Sequence, residues 1–484
     1  MKRLFYTLLF FLPCMLIACG GSDDTPDGDN NPPVVAPPSE EPVDSRLLYN
    51  GIRLPEQWPP VRSSSSELEK GMSPFYLSDK PSVINISVGR QLFVDNFLIE
   101  STNLKRTFYY PEYYSGNPIL TPEQDWEKTG TKGAAFAAPF SDGVWYDEKE
   151  GKYKMWYMAG GGSYATSGAG VTCYAESTDG IHWTKPILSV VAGTNIVDYN
   201  SERDASVVWL DKQESNASKR HKMFLVARES GKWRYHYKTS PDGKVWRAAV
   251  QSEPIADRST VYKNPFRNVW VYSMRHNVRV DANKLVRARD YNENADPEAG
   301  TKKAEALLSA FWFGPWANEQ RHTDYPNIAP AIYNQDATPY ESIMLGFFSV
   351  WQGPENDVCA SDNVIKRNQV MVGYSRDGYS WFREDMNPFH AVNTTTSDAW
   401  NQGNLQSVAG APLIVGDKLY FYLSGRRLRG TQEITTTGLA TLRRDGFASM
   451  KGTGELQTPL LKFDGSYFFV NANVTGEMKV ELLD

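Results

Sequence analysis

A seven-residue pattern, Ser-x-Asp-Gly-x-x-Trp, occurs three times in this chain, at Ser177–Trp183, Ser240–Trp246 and Ser375–Trp381. A decayed copy, Arg-Arg-Asp-Gly-Phe, stands at Arg443–Phe447. The aspartates Asp179, Asp242, Asp377 and Asp445 are spaced 63, 135 and 68 residues apart. The middle interval is about double the others, so one copy is missing and the chain holds five units of roughly 65 residues. Asp-Gly makes a tight turn between two strands, Gly taking positive φ and Asp bonding the turn amides. The Trp then fills the space between neighbouring sheets.

Each unit also carries two strand-like runs joined by a polar turn. They are Gly143–Gly160, Ser206–Glu229, Ser259–His276, Ala329–Ser349 and Ala411–Gly425. Two strands plus the turn-linked pair give a four-stranded antiparallel sheet per unit. Five such sheets set radially form a five-bladed β-propeller, which protects strand edges by repetition. An all-β class agrees with 13% aromatic residues. The lost motif falls at 290–310, where Ala295–Phe311 predicts an insertion with a short helix. The propeller is expected over 91–450, after an N-terminal extension at 46–90 in which residues 84–101 predict two short strands around Gly89. Residues 451–484 predict a C-terminal β appendage of three or four strands, the opening of a β-sandwich.

The N-terminus is an address. Lys2 and Arg3 precede an apolar run, Leu4–Ile17, too short to span a membrane comfortably, which is a signal-peptide layout. Leu16-Ile17-Ala18-Cys19 resembles the bacterial lipobox, which implies a signal peptide at 1–18 and lipidation of Cys19. The following GGSDDTPDGDN is similar to the acidic signal of surface lipoproteins in Bacteroidetes-like bacteria. Residues 19–45, rich in Pro, Asp and Gly, are expected to be a disordered tether. The expected location is therefore the outer membrane or cell surface, facing the periplasm or exterior, with the membrane met only through the lipid. Cys173 and Cys359 are too few for a disulfide framework or a zinc site and are expected to be buried free thiols. A net charge of −6 excludes nucleic acid as a partner.

A propeller gathers the starts of its innermost strands around one axis. Aligning those strands on Val144, Val208, Val261 and Ala331 places Phe140, Asp204, Asp257 and Asn327 four residues upstream, with Asp142 close by. Three carboxylates from successive blades would thus converge, and paired carboxylates perform glycoside hydrolysis. For the general acid, Glu229 ends the second strand of its blade at that face, and Glu319, His322 and Asp324 enter the fourth blade there. Glu341 is expected at the opposite face. Arginines recur around the same face: Arg203, Arg228, Arg258, Arg275, Arg321, Arg426 and Arg427. Guanidinium forks bind carboxylate, sulfate or phosphate, so an anionic sugar is expected. No phosphate loop, G-x-S-x-G elbow or H-E-x-x-H motif is present. No cofactor or catalytic metal is expected, and a structural Ca²⁺ or Na⁺ in the channel is left open.

Five blades, Arg203-Asp204 at a strand start, Asn117–Leu120 (NPIL) and a lipoprotein leader resemble five-bladed glycosidases of glycoside hydrolase families 43, 32, 68, 117 and 130. The resemblance covers residues of about 90 to 450 and is one of architecture and short motifs. It implies an exo-acting glycoside hydrolase on oligosaccharides from a polysaccharide. Arg203-Asp204 is similar to the Arg-Asp of family 32, whose Asp stabilises the transition state, while that family's Trp-Asn-Asp-Pro and Glu-Cys motifs are absent. Family 117 implies that a His such as His322 is admissible as acid. A non-catalytic glycan-binding surface lipoprotein and a glycoside phosphorylase remain alternatives.

Overall fold

The computed structural model describes residues 44–128, 134–165, 170–280, 284–306, 309–396, 398–429 and 432–483. The leader, Cys19 and nearly all of the 19–45 tether lie outside them. The fold is all-β, built from consecutive antiparallel sets. The first set is Val144–Asp147, Lys152–Ala159 and Gly170–Ser177, extended by a bridge from Glu176 to Thr184. The second runs through Ile196–Leu210, His221–Glu229, Lys232–Ser240 and Arg247–Gln251. The third holds Thr260–Asn264, Val269–Arg279, Leu285–Asn294 and Ala310–Phe313, with the expected helix at Pro297–Lys303 between its last two strands. Ala331–Tyr340, Ile343–Gly353 and Arg367–Ser375 form the fourth. The fifth holds Asn404–Val408, Leu413–Val415, Lys418–Arg429 and Gln432–Arg443. Its last strand pairs with Glu112–Tyr113, so a segment from the start of the chain completes the set made at its end.

The repeated motif acts as the sequence predicts. In all three copies the Ser Oγ accepts from the Gly amide, at 2.9, 2.9 and 2.8 Å. The Asp Oδ1 accepts from the next two amides, as at Tyr379 and Ser380 (2.8 and 2.7 Å). The Gly carbonyl is then gripped by an aromatic side chain of the preceding set: Tyr422 Oη donates to Gly180, Trp156 Nε1 to Gly243 and Tyr262 Oη to Gly378. A Cβ on Gly243, whose φ is +76°, would stand 2.3 Å from the Trp156 ring. Glycine is therefore required twice over, for conformation and for space. The Trp itself is a complete plug only at Trp381; Trp183 and Trp246 are half-buried.

Aromatic contacts run from set to set and return to the first. The pairs are Trp145–Trp209 (4.8 Å), Trp209–Trp270 (5.7 Å), Phe313–Phe348 (5.6 Å), Phe347–Phe421 (6.0 Å) and Trp183–Tyr422 (5.8 Å). Fully burying a Phe ring stabilises by roughly 1.5–3 kcal/mol, and the larger Trp ring by more. The core thus lies between the sets, which leaves their first strands free to face one another.

Two expectations for the flanking segments and one for the thiols are corrected. Residues 84–101 do not form two strands around Gly89: only Val83–Asn85 and the two-residue Ser101–Thr102 pair at all. The C-terminal strands do not open a sandwich. Ala448–Lys451, Leu456–Gln457 and Leu460–Lys462 each pair with an N-terminal strand, Lys105–Phe108, Ser101–Thr102 and Val83–Asn85 respectively. No strand follows among the described residues after Lys462, and Tyr467, Phe468 and Phe469 are exposed. Of the thiols, Cys173 is buried and Cys359 only partly so.

The N-terminal segment is anchored by a buried ion pair. Arg376, inside the third turn motif, bonds Asp95 through Nε and Nη2 (2.9 and 2.8 Å) and the Leu92 carbonyl, and both charged side chains are fully enclosed. Removing one partner strands the other in a dry site. Asp95→Ala is therefore expected to cost about 3–5 kcal/mol, read as a fall in the urea midpoint at unchanged m-value. An unchanged midpoint would mean that this segment does not hold the fourth set.

Candidate functional site

The first strands converge on one face, and several carry local irregularities there. In the second set Asp204 and Ala205 together oppose Val226, a bulge between the Leu225 and Ala227 pairings. In the fourth, the register slips between Ile332 and Asn334, leaving Tyr333 without a ladder partner. In the fifth it slips between Gln406 and Val408, at Ser407. Phe140, Arg258 and Ser407 hold positive φ of 44°, 54° and 67°, a region that costs a bulky residue energy. Bulges re-aim side chains beside functional sites, and here they aim Asp204 and Tyr333 together.

The fourth set corrects the sequence alignment. Its first strand runs on through Pro339 to Tyr340, and the turn is made at Glu341. The strand segment equivalent to Val144–Asp147 is therefore Ala337–Tyr340, and the residue four before it is Tyr333, not the exposed Asn327. Tyr333 joins Phe140, Asp204 and Asp257 in one slot. Glu341 lies at the far end, as expected, paired with Arg90 at 2.7 Å.

Five cations surround this slot. Arg258 grips Asp204 twice, by its backbone amide (2.7 Å) and by Nη2 (3.0 Å). Arg275 contacts Asp257, and Arg426 pairs with Glu433 at 3.0 Å. Arg287 and Lys366 have no carboxylate partner among the described residues; instead they stand 4.7 and 5.5 Å from the centroid of the Tyr333 ring, with Arg258 at 5.6 Å. Arg258 and Arg426 also lie 5.4 Å from the Phe140 ring. Burial alone would raise the Tyr333 phenol, but the charges of Arg258, Lys366, Arg287 and Arg426 outweigh it and bring the group down to about 8.

Below this ring the axis is filled by polar groups. Asn334 Nδ2 donates to Asp336 Oδ2 and to Ser407 Oγ, both at 3.1 Å, and Ser141 Oγ bonds Ser407 Oγ at 3.3 Å. Burial pushes Asp336 up to about 7, so it holds a proton near neutrality. Asp336 and Tyr333 escaped the sequence reading because both lie beyond the point where the set-four alignment was drawn. The Asx-turn-free stretch Tyr333-Asn334-Gln335-Asp336, polar in the middle of a strand, was the available signal.

The other predicted residues are placed elsewhere. Asp142 is fully buried against Arg203 (2.8 Å), and burial pushes its carboxyl up; Arg203 also bonds Thr172. This pair is structural, and Arg203 is not free to hold substrate. Glu319 is enclosed, its carboxylate paired with Arg383 at 2.5 Å beside Trp316. Glu229 and Arg228 are exposed at a strand end, Arg228 pairing with Glu202. His322 Nδ1 accepts from the Asp324 amide, and burial lowers its affinity for a proton. Arg321 donates to the carbonyls of Pro326 and Ile328, and Arg427 pairs with Asp398. Asp204, Asp257, Arg258, Arg275 and Arg426 are thus brought together; the remaining candidates are not. Among the described residues no group of three His, Cys, Asp or Glu could hold a metal ion.

No family model matches the chain, and no curated protein does. Solved structures similar to it include several glycoside hydrolases and a deacetylase. One is an N-acetylgalactosamine deacetylase from F. plautii in complex with blood group B trisaccharide, at 11% identity and a TM-score of 0.41, over 67% of this chain and 96% of that one. A glycosyl hydrolase from Bacteroides ovatus gives 12% and 0.39, over 76% and 99%. A fructofuranosidase from Schwanniomyces occidentalis complexed with fructosylnystose gives 12% and 0.39, over 72% and 65%. At such identities and overlaps, what the chain does has to follow from its own residues.

Proposed function

We propose that the chain is a five-bladed β-propeller and a surface-attached, exo-acting glycoside hydrolase for anionic oligosaccharides. Five antiparallel sets whose aromatic contacts return to the first support the propeller. The observation that carries the function is the ring of Arg258, Arg275, Arg287, Lys366 and Arg426 around Asp204, Asp257 and Tyr333. Two cations without acidic partners favour a sugar bearing a carboxylate or sulfate. The hydrogen-bonded Asn334, Asp336, Ser141 and Ser407 below Tyr333 support a site closed at its inner end, which favours a chain end over a chain middle. Asp204 and Asp257 stabilise the positive charge that develops at the anomeric carbon.

Arg287 and Lys366 would equally hold inorganic phosphate, which favours a glycoside phosphorylase as the second reading. Incubation with neutral, uronate and sulfated oligosaccharides, with and without phosphate, separates the cases. Hydrolysis of charged substrates without phosphate supports the proposal. Sugar-phosphate formation favours the second reading, and binding without turnover leaves a glycan-binding lipoprotein. The membrane attachment has its own test: Cys19→Ser should abolish labelling by a fatty-acid probe and release the chain from the membrane fraction.

A further inference from the structure

We propose that Tyr333 is the general base of this site, a role that rests on the glycosidase reading above. Four observations converge on it. Tyr333 occupies the same slot as Asp204 and Asp257, at the level where substrate would end. It is the extra residue of a β-bulge, unpaired between Ile332 and Asn334, so its direction is set by the irregularity and not by the pleat. The two nearby carboxylates are already engaged, Asp204 by Arg258 and Asp257 by Arg275. Finally, cations reach it from every neighbouring element. Arg258 comes from the turn before Thr260–Asn264, Arg287 from Leu285–Asn294, Lys366 from the entry to Arg367–Ser375 and Arg426 from Lys418–Arg429, with Arg275 of Val269–Arg279 also within electrostatic reach. These charges favour the phenolate, and their acidic partners Asp204, Asp257 and Glu433 only partly offset them.

The step balances with water alone. The Tyr333 phenolate takes a proton from a water whose oxygen forms a bond to the anomeric carbon. The bond from that carbon to the leaving oxygen breaks, its electron pair going to the oxygen, which takes up a proton from solvent. Tyr333 returns its own proton to solvent, and one water is consumed.

Two measurements test this. The first is the near-ultraviolet difference titration of wild type against Tyr333→Phe. The expected difference is a single phenol ionising near pH 8; one ionising at the ordinary tyrosine value of about 10 overturns the proposal without any substrate. The second is the pH–rate profile on uronate-terminated oligosaccharides. Because the base must be ionised, kcat/KM should climb with pH and level off above about 8. Tyr333→Phe should lower kcat by about 10²-fold or more at little change in KM, with its circular dichroism intact. Arg287→Gln should move the ascending limb to higher pH, which a merely structural tyrosine would not produce. Turnover that survives Tyr333→Phe overturns the base and leaves the hydrolase standing. Products carrying a new double bond and no added water overturn hydrolysis and keep Tyr333 as the base of an elimination.

Discussion

Asp204→Asn is expected to lower kcat/KM by about 10³-fold, or ~4 kcal/mol of transition-state stabilisation, with the melting temperature down by only a few degrees. The asymmetry follows from what the carboxylate touches. On the proposed mechanism its charge acts on a developing oxocarbenium ion, and asparagine removes that field. Its structural bonds are modest: the Arg258 amide at 2.7 Å keeps an acceptor in the amide oxygen, and what is lost is the charge of one ion pair. A charge-assisted hydrogen bond of this kind contributes about 1.5–3 kcal/mol, of which the amide oxygen keeps part, and 1 kcal/mol shifts the midpoint of a large domain by roughly 2–4 °C. Steady-state kinetics and calorimetry on the same preparation check both halves. A mutant that melts far below wild type would show that Asp204 is a structural group, and full activity would remove it from the mechanism.

The second large effect concerns charge. The double variant Arg287→Ala, Lys366→Ala should lower kcat/KM on uronate oligosaccharides by about 10³-fold, since each charge-assisted hydrogen bond contributes roughly 1.5–3 kcal/mol. Neither cation has an acidic partner among the described residues, so their removal leaves no carboxylate unpaired and stability should hold. The wild-type rate should also fall with added salt more steeply than the variant's. Equal losses on charged and neutral sugars would mean that the two side chains shape the pocket and do not read charge.

Much of the fold was legible because the repeat is a mechanism as well as a pattern. Ser177, Ser240 and Ser375 cap their turns identically, and the spacing of the turns counts the sets. What escaped was what the repeat does not encode. The N-terminal segment is held by Asp95 on Arg376, a contact between residues 281 positions apart, which no local pattern announces. The apolar C-terminal runs look like strands on propensity, yet those that pair find single partners near the N-terminus instead of a sheet. In the site, Asp204 and Asp257 were readable because the strand segments after them, from Val208 and Val261, align without irregularity up to the turn. Tyr333 was not, since Pro339 inside the strand reads as a turn signal and moved the alignment six residues upstream. Arg203 and Glu319 illustrate the opposite error: a charged residue at the right height along the sequence can be spent on burial, as Asp142 and Arg383 show.

The most direct measurement compares one oligosaccharide in two forms, with its terminal uronate intact and with that carboxylate reduced to the alcohol. Size, linkage and stereochemistry are then unchanged, and only the charge that Arg287 and Lys366 would bind differs. The proposal predicts hydrolysis of the acid from its charged end, at a rate orders of magnitude above that of the alcohol, and loss of that preference in the Arg287→Ala, Lys366→Ala variant. Equal hydrolysis of the two forms, or tight binding of the acid with no bond cleaved, would contradict an anionic-glycan hydrolase centred on this ring of cations.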